Sequence, residues 1–176
     1  MTETALVITV PEADSLIGEY RRRHTRDGAA GMPAHVTLLY PFADVDALTD
    51  ATSDEIAQVS RSFDAFDFVI RKTARFEGDL LWLRPDPSEP FVALTEALAR
   101  AFPEFPPYGG VHDEIVPHVS VAHGDDALFA ALEHELAPAL PIRSAATEIE
   151  LFEHVGGRWR RRAGFELNRH RAEANA

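Results

Sequence analysis

Residues 34–42 read AHVTLLYPF, and residues 117–124 read PHVSVAHG. Each stretch carries a histidine followed two residues later by a hydroxyl residue: His35 and Thr37 in the first, His118 and Ser120 in the second. Both are apolar and rich in β-branched residues, which predicts strands over 35–42 and 118–121. Side chains at i and i+2 of a strand point to one face. His35 and Thr37 therefore share a face, as do His118 and Ser120. Val36, Leu38, Val119 and Val121 point the other way, into a core. Each string presents one imidazole and one hydroxyl, held from beneath by apolar packing.

Working outward, residues 4–10 form a continuous apolar run that predicts a buried strand. Pro11 opens a helix whose apolar face is Ala13, Leu16, Ile17 and Tyr20, and Asp27-Gly28 stops it. Thr52 and Glu55 are spaced as a capping box for a helix carrying Ile56, Val59 and Phe63. Strands are expected over 66–71 and 80–83, joined at Gly78-Asp79. Ser88 is placed to cap a helix bearing Phe91, Leu94 and Leu98, which Pro103 ends. Residues 103–117 hold four prolines and two adjacent glycines, a long loop of the kind that often carries function. Asp125 or Asp126 caps a helix with Leu128, Phe129, Leu132 and Leu136, ended by Pro138 and Pro141. Strands over 147–155 and 158–167 meet at Gly156-Gly157, a strong hairpin signal. A polar tail follows from residue 168.

The two histidine strings occupy matching places. Each histidine strand is followed by a helix and then a hairpin, whose first glycine lies 43 residues after His35 and 38 after His118. This repeat predicts two similar lobes facing each other across a pseudo-twofold axis, within one domain spanning residues 1–176.

Composition narrows the function. The net charge is −12, from 17 Lys and Arg against 29 Asp and Glu. A protein gripping a long duplex through many phosphates is normally basic, so a small phosphorylated ligand or an RNA end fits better. Two arginine clusters, at 21–26 and 158–162, suit such a ligand or are solvated faces offsetting neighbouring acids, and the strand at 158–162 could offer a phosphate-binding arginine. The absence of cysteine excludes disulfides, thiolate metal sites and a cysteine nucleophile. Neither a signal peptide nor an apolar span is evident, so a cytoplasmic monomer without membrane partners is expected. No dinucleotide, P-loop or serine-hydrolase motif occurs. His112, Asp113, His118 and His123 match no strong zinc spacing, so no metal is expected.

Two imidazoles and two hydroxyls around one centre suit phosphodiester hydrolysis. A neutral imidazole takes a proton from the attacking oxygen while a protonated one donates to the leaving oxygen. The hydroxyls of Thr37 and Ser120 can hydrogen-bond the non-bridging oxygens as charge builds there. No cofactor is required, because the imidazolium supplies the positive charge. The competing structural reading is two core histidines satisfied by neighbouring hydroxyls.

The paired strings resemble the His-x-Thr/Ser motifs of the 2H phosphoesterase superfamily, which includes bacterial 2′-5′ RNA ligase-like proteins and cyclic nucleotide phosphodiesterases. The likeness covers motif order, separation, the proline before the second histidine and overall length. It implies an α+β fold, bilobal, with antiparallel sheets lining a central cleft. It also implies that His35, Thr37, His118 and Ser120 are catalytic, with His35 as acid and His118 as base. The implied activity is metal-independent cleavage of a 2′,3′-cyclic or 2′-5′ phosphodiester in a small nucleotide or at an RNA 3′ end. Serine stands where threonine is commoner in the second motif; it keeps the hydroxyl and loses a methyl. Tyr108, in the proline-rich loop, could stack on a base or bond a phosphate, or simply pack the loop. Phe42 is expected in the core. The alternative function is a module that binds RNA ends or nucleotides in the same cleft without turnover.

Overall fold

A computed structural model describes residues 2–77, 79–110 and 114–169. The expected turn at Gly78, the residues His112 and Asp113, and the tail from residue 170 lie outside the described residues.

The described residues form eight strands in two antiparallel sheets. One has the order β2-β1-β7-β8 and the other β5-β4-β3-β6. β1 (Thr4–Thr9) pairs with β2 (His35–Leu39) on one side and β7 (Glu148–Val155) on the other, and β7 forms a hairpin with β8 (Arg158–Glu166). In the second sheet β4 (Leu80–Asp86) lies between β3 (Phe66–Phe76) and β5 (Val119–His123), and β6 (Ile142–Ala146) completes the far edge. β2 and β5 are each the edge strand of their sheet, and they approach one another.

The repeat takes a different form from the one expected. The hairpin that follows each histidine strand joins the other sheet: β3 and β4 lie with β5, while β7 and β8 lie with β2. The helices cross over as well. α1 (Pro11–His24), which connects β1 to β2, packs on β5 of the second sheet. α4 (Glu89–Ala101), which connects β4 to β5, packs on β2 of the first. The unit that repeats is strand, helix, histidine strand. One hydrophobic core, including Leu6, Val36, Leu81, Leu83 and Val121, therefore runs through both sheets.

Several local expectations need correction. α1 turns Ala13, Ile17 and Arg21 inward, while Leu16 is 38% exposed. Asp27-Gly28 belongs to a short helix, α2 (Arg26–Ala29), capped by the Thr25 hydroxyl, which accepts from Gly28 N–H at 3.0 Å. The capping box of α3 (Asp50–Arg61) is formed by Thr49 and Thr52, one turn earlier than the Thr52–Glu55 pair. Thr52 can serve in the Glu role because its hydroxyl accepts from Thr49 N–H at 3.2 Å. Ser88 makes no side-chain cap bond. Asp125 caps α5 (Asp126–Leu136), accepting from Leu128 N–H at 2.9 Å. β6 is a strand that the sequence hides, because prolines on both sides of residues 139–140 read as a loop, yet Pro141 only precedes the strand. Phe42 is buried against Phe102 and Phe105, as expected.

Candidate active site

His35 opens β2 and pairs with Thr9, while Thr37 pairs with Val7. Val36 and Leu38 are buried in the core on the opposite face, so the strand's alternation holds His35 and Thr37 toward the cleft. His118 immediately precedes β5, and Ser120 pairs with Trp82 of β4.

The two histidines are anchored alike. His35 Nδ1 lies 2.7 Å from the carbonyl oxygen of Pro33, and His118 Nδ1 lies 2.7 Å from that of Val116. A carbonyl can only accept, so each Nδ1 carries the hydrogen and donates it. Each Nε2 is then the atom at which the ring gains or loses a proton.

A cleft of about 350 Å³ is lined by His35, Thr37 and Ser120, together with Asp27 and Arg26. His118 and Tyr108 stand outside this lining. The His118 ring is half-buried among aromatic side chains, 5.1 Å from Phe76, 5.9 Å from Trp82 and 6.3 Å from Tyr108, the last nearly parallel at 22°. It is close enough to His35 for its charge to disfavour protonation there. Tyr108 adopts φ 52°, a left-handed conformation that costs a tyrosine about 1–3 kcal/mol and is held by its surroundings.

Beneath the cleft lies a buried cation. Arg21 is 1% exposed. Its Nη1 donates to the Ser120 carbonyl at 2.6 Å, and its Nη2 donates to Asp27 Oδ2 at 2.7 Å and to the Met32 carbonyl at 3.4 Å. One guanidinium thus ties the strand carrying the second motif to the segment just before the first. Gly28 makes this possible: a Cβ there would lie 2.5 Å from the Arg21 carbonyl oxygen, so only glycine lets α2 close onto the end of α1. Asp27 Oδ2 is also 4.0 Å from His35 Nε2.

These neighbours set the charges. His35 is 8% exposed, and burial pushes its pKa down from 6.5 to about 4, with the Arg21 and His118 charges adding to the shift. The Asp27 carboxylate and the bond to Pro33 oppose it. Burial works against the charge on Asp27, but Arg21, His35 and the Thr25 hydroxyl outweigh it and hold the carboxyl below its ordinary range. At neutral pH His35 is neutral, with an open lone pair on Nε2. The arrangement can accept a proton at that atom and hydrogen-bond an anion through Thr37 and Ser120.

The second arginine cluster does not line the cleft. Arg161 pairs with Glu148 and Glu150, and Arg162 pairs with Glu153. The arginine in the cleft is Arg26, from the first cluster. Reading the sequence does not single out Asp27, which looks like a helix stop, or the buried role of Arg21 within a run of three arginines. Among the described residues, no group of three or more His, Asp or Glu side chains is placed to hold a metal ion, and no helix is long and apolar enough to cross a membrane.

Residues 9–158 match the family model described as the 2′-5′ RNA ligase superfamily. The chain belongs to that superfamily. Solved structures share the superfamily fold with it. The protein TT0787 of Thermus thermophilus superposes with a TM-score of 0.62 at 18% identity, covering 96% of this chain and 99% of that one. Escherichia coli LigT in its apo form gives 0.58 at 16% identity, covering 96% and 98%. LigT complexed with 3′-AMP gives 0.54 at 15%, covering 96% and 99%. No curated protein sequence matches the chain. Membership agrees with the two-sheet, bilobal architecture of this 2′-5′ RNA ligase superfamily protein, whose paired motifs begin its two facing edge strands.

Proposed function

We propose that this protein is a phosphodiesterase that needs no metal and cleaves 2′,3′-cyclic or 2′-5′ phosphodiesters of nucleotides or RNA ends by two-histidine acid–base catalysis. The observation that carries the reading is the matched anchoring of His35 and His118. Each donates Nδ1–H to the carbonyl two residues back, at the start of facing strands, and each has a hydroxyl residue two positions on. Structural core histidines have no reason to share this arrangement across two sheets.

The electrostatics favour His35 as the base, the reverse of the assignment implied by family resemblance. A pKa of about 4 leaves Nε2 unprotonated and ready to take a proton from the attacking water or hydroxyl. His118 then donates from Nε2 to the leaving oxygen. Thr37 and Ser120 bond the non-bridging oxygens, and Arg26 meets the phosphate charge at the cleft. The ligand class agrees with the nucleotide bound to the distant relative LigT. The core shared between both sheets supports a single bilobal unit.

The test is turnover of a 2′,3′-cyclic mononucleotide in EDTA by the wild type and by His35→Ala and His118→Ala. Hydrolysis by the wild type alone supports the reading. Tight binding without any turnover would replace it with a nucleotide-binding module.

A further inference from the structure

The cleft contains a second feature that the acid–base chemistry leaves unused. β1 runs along its floor. Its C-terminal end pairs with His35 and Thr37, and its N-terminal end meets β7, where His154 N–H donates to the Glu3 carbonyl at 2.8 Å. At that second end the cleft is lined by Tyr40, His154 and Trp159. Trp159 faces His154 across the β7–β8 hairpin, with ring centroids 5.0 Å apart. Tyr40 meets Trp159 edge-on, at 6.1 Å and 67°. The Tyr40 hydroxyl donates to Glu3 Oε2 at 2.8 Å, which fixes its ring. The floor beside these rings is Ala5, whose small side chain leaves room above it. Tyr40 lies three positions after Thr37, at most roughly 10 Å of chain at about 3.3 Å per residue. A ribose with its base can bridge such a gap from a phosphate held at Thr37.

We propose that Trp159, supported by Tyr40 and His154, forms a nucleobase subsite at the end of the cleft away from His35. A half-buried tryptophan beside an open volume offers a flat, apolar, polarisable surface, and every base has a π-face to place on it. Stacking of this kind tolerates all four bases, so the subsite selects for the presence of a base more than for its identity. It assigns the substrate class as nucleotides or RNA ends, and disfavours cyclic sugar phosphates without a base. The inference deepens the functional reading above and takes the ligand class from it. Its test measures binding, so the two can fail separately.

Calorimetry compares adenosine 3′-monophosphate with methyl riboside 3-phosphate, the same group without its base. The wild type is expected to bind the nucleotide about tenfold or more tightly than the base-free compound. Trp159→Ala removes that difference and leaves affinity for the base-free compound within about twofold. Trp159→Phe, which keeps a ring, retains most of it. Equal or undetectable binding of the two compounds by the wild type overturns the proposal. So does a Trp159→Ala protein that weakens both equally, or one that preserves the difference. Base-selective binding without turnover would leave the subsite standing while removing the enzyme reading.

Discussion

The Asp27 carboxylate lies 4.0 Å from His35 Nε2 and is held there by Arg21. It is the negative charge that opposes the forces stripping the proton from that ring, which are burial, Arg21 and His118. Asp27→Asn removes it and is expected to lower the His35 pKa further. Titration of the His35 ring by NMR checks this directly. A ring titrating at the same pH in both proteins would show that the carboxylate has no electrostatic role.

With His35 as base, kcat/KM is expected to fall on the acid side with a pKa near 4, well below the limb near neutrality that an ordinary histidine gives. Below that pH the base is protonated and the reaction stops. If activity instead falls as pH rises through 4, His35 works as the acid, and the assignment reverts to the one implied by the family.

The same shift affects stability. The folded state binds a proton at His35 only near pH 4, whereas the unfolded chain binds it at the ordinary 6.5. Between those values the unfolded state holds more protons, so this contribution is fully present above 6.5 and is lost as pH falls toward 4. It amounts to about 3 kcal/mol at most. Denaturant unfolding of wild type and His35→Gln across pH 4 to 7 is expected to show a shallower slope in the variant.

Gly28→Ala would place a Cβ against the Arg21 backbone oxygen, where neither α1 nor α2 can yield without moving Asp27. A loss of about 1–3 kcal/mol is expected from thermal unfolding. Activity should drop further than stability explains, because Asp27 moves relative to His35.

Thr37→Val and Ser120→Ala each remove a hydroxyl from the cleft. Losses in kcat of about tenfold to several hundredfold are expected, with KM little changed. Ser120→Thr keeps the hydroxyl and should retain activity. If it loses as much as Ser120→Ala, the side chain matters through packing.

The sequence revealed what is local. A strand's alternation depends on adjacent residues, so the faces of His35–Thr37 and His118–Ser120 were legible, as were most helices and the Gly156-Gly157 hairpin. What stayed hidden depends on distant partners. Arg21 looks like Arg22 and Arg23 in a run of three, and only the packing of α1 on β5 makes it the buried one. Leu16 looks apolar enough for the core, yet the face of α1 is set by where β5 lies. Asp27 gains its role from a glycine contact between two helices. Tyr40, His154 and Trp159 come from three separate strand ends and share no motif.

The exchange of hairpins between sheets has a consequence for how the molecule is made. Thr4 is paired with Glu153, so β1 gains its second neighbour only from a strand far along the chain. A fragment ending at Ala146 would keep both histidine motifs but leave one flank of β1 bare, and light scattering should find it prone to self-association. The intact motifs would then stand on an unfinished floor.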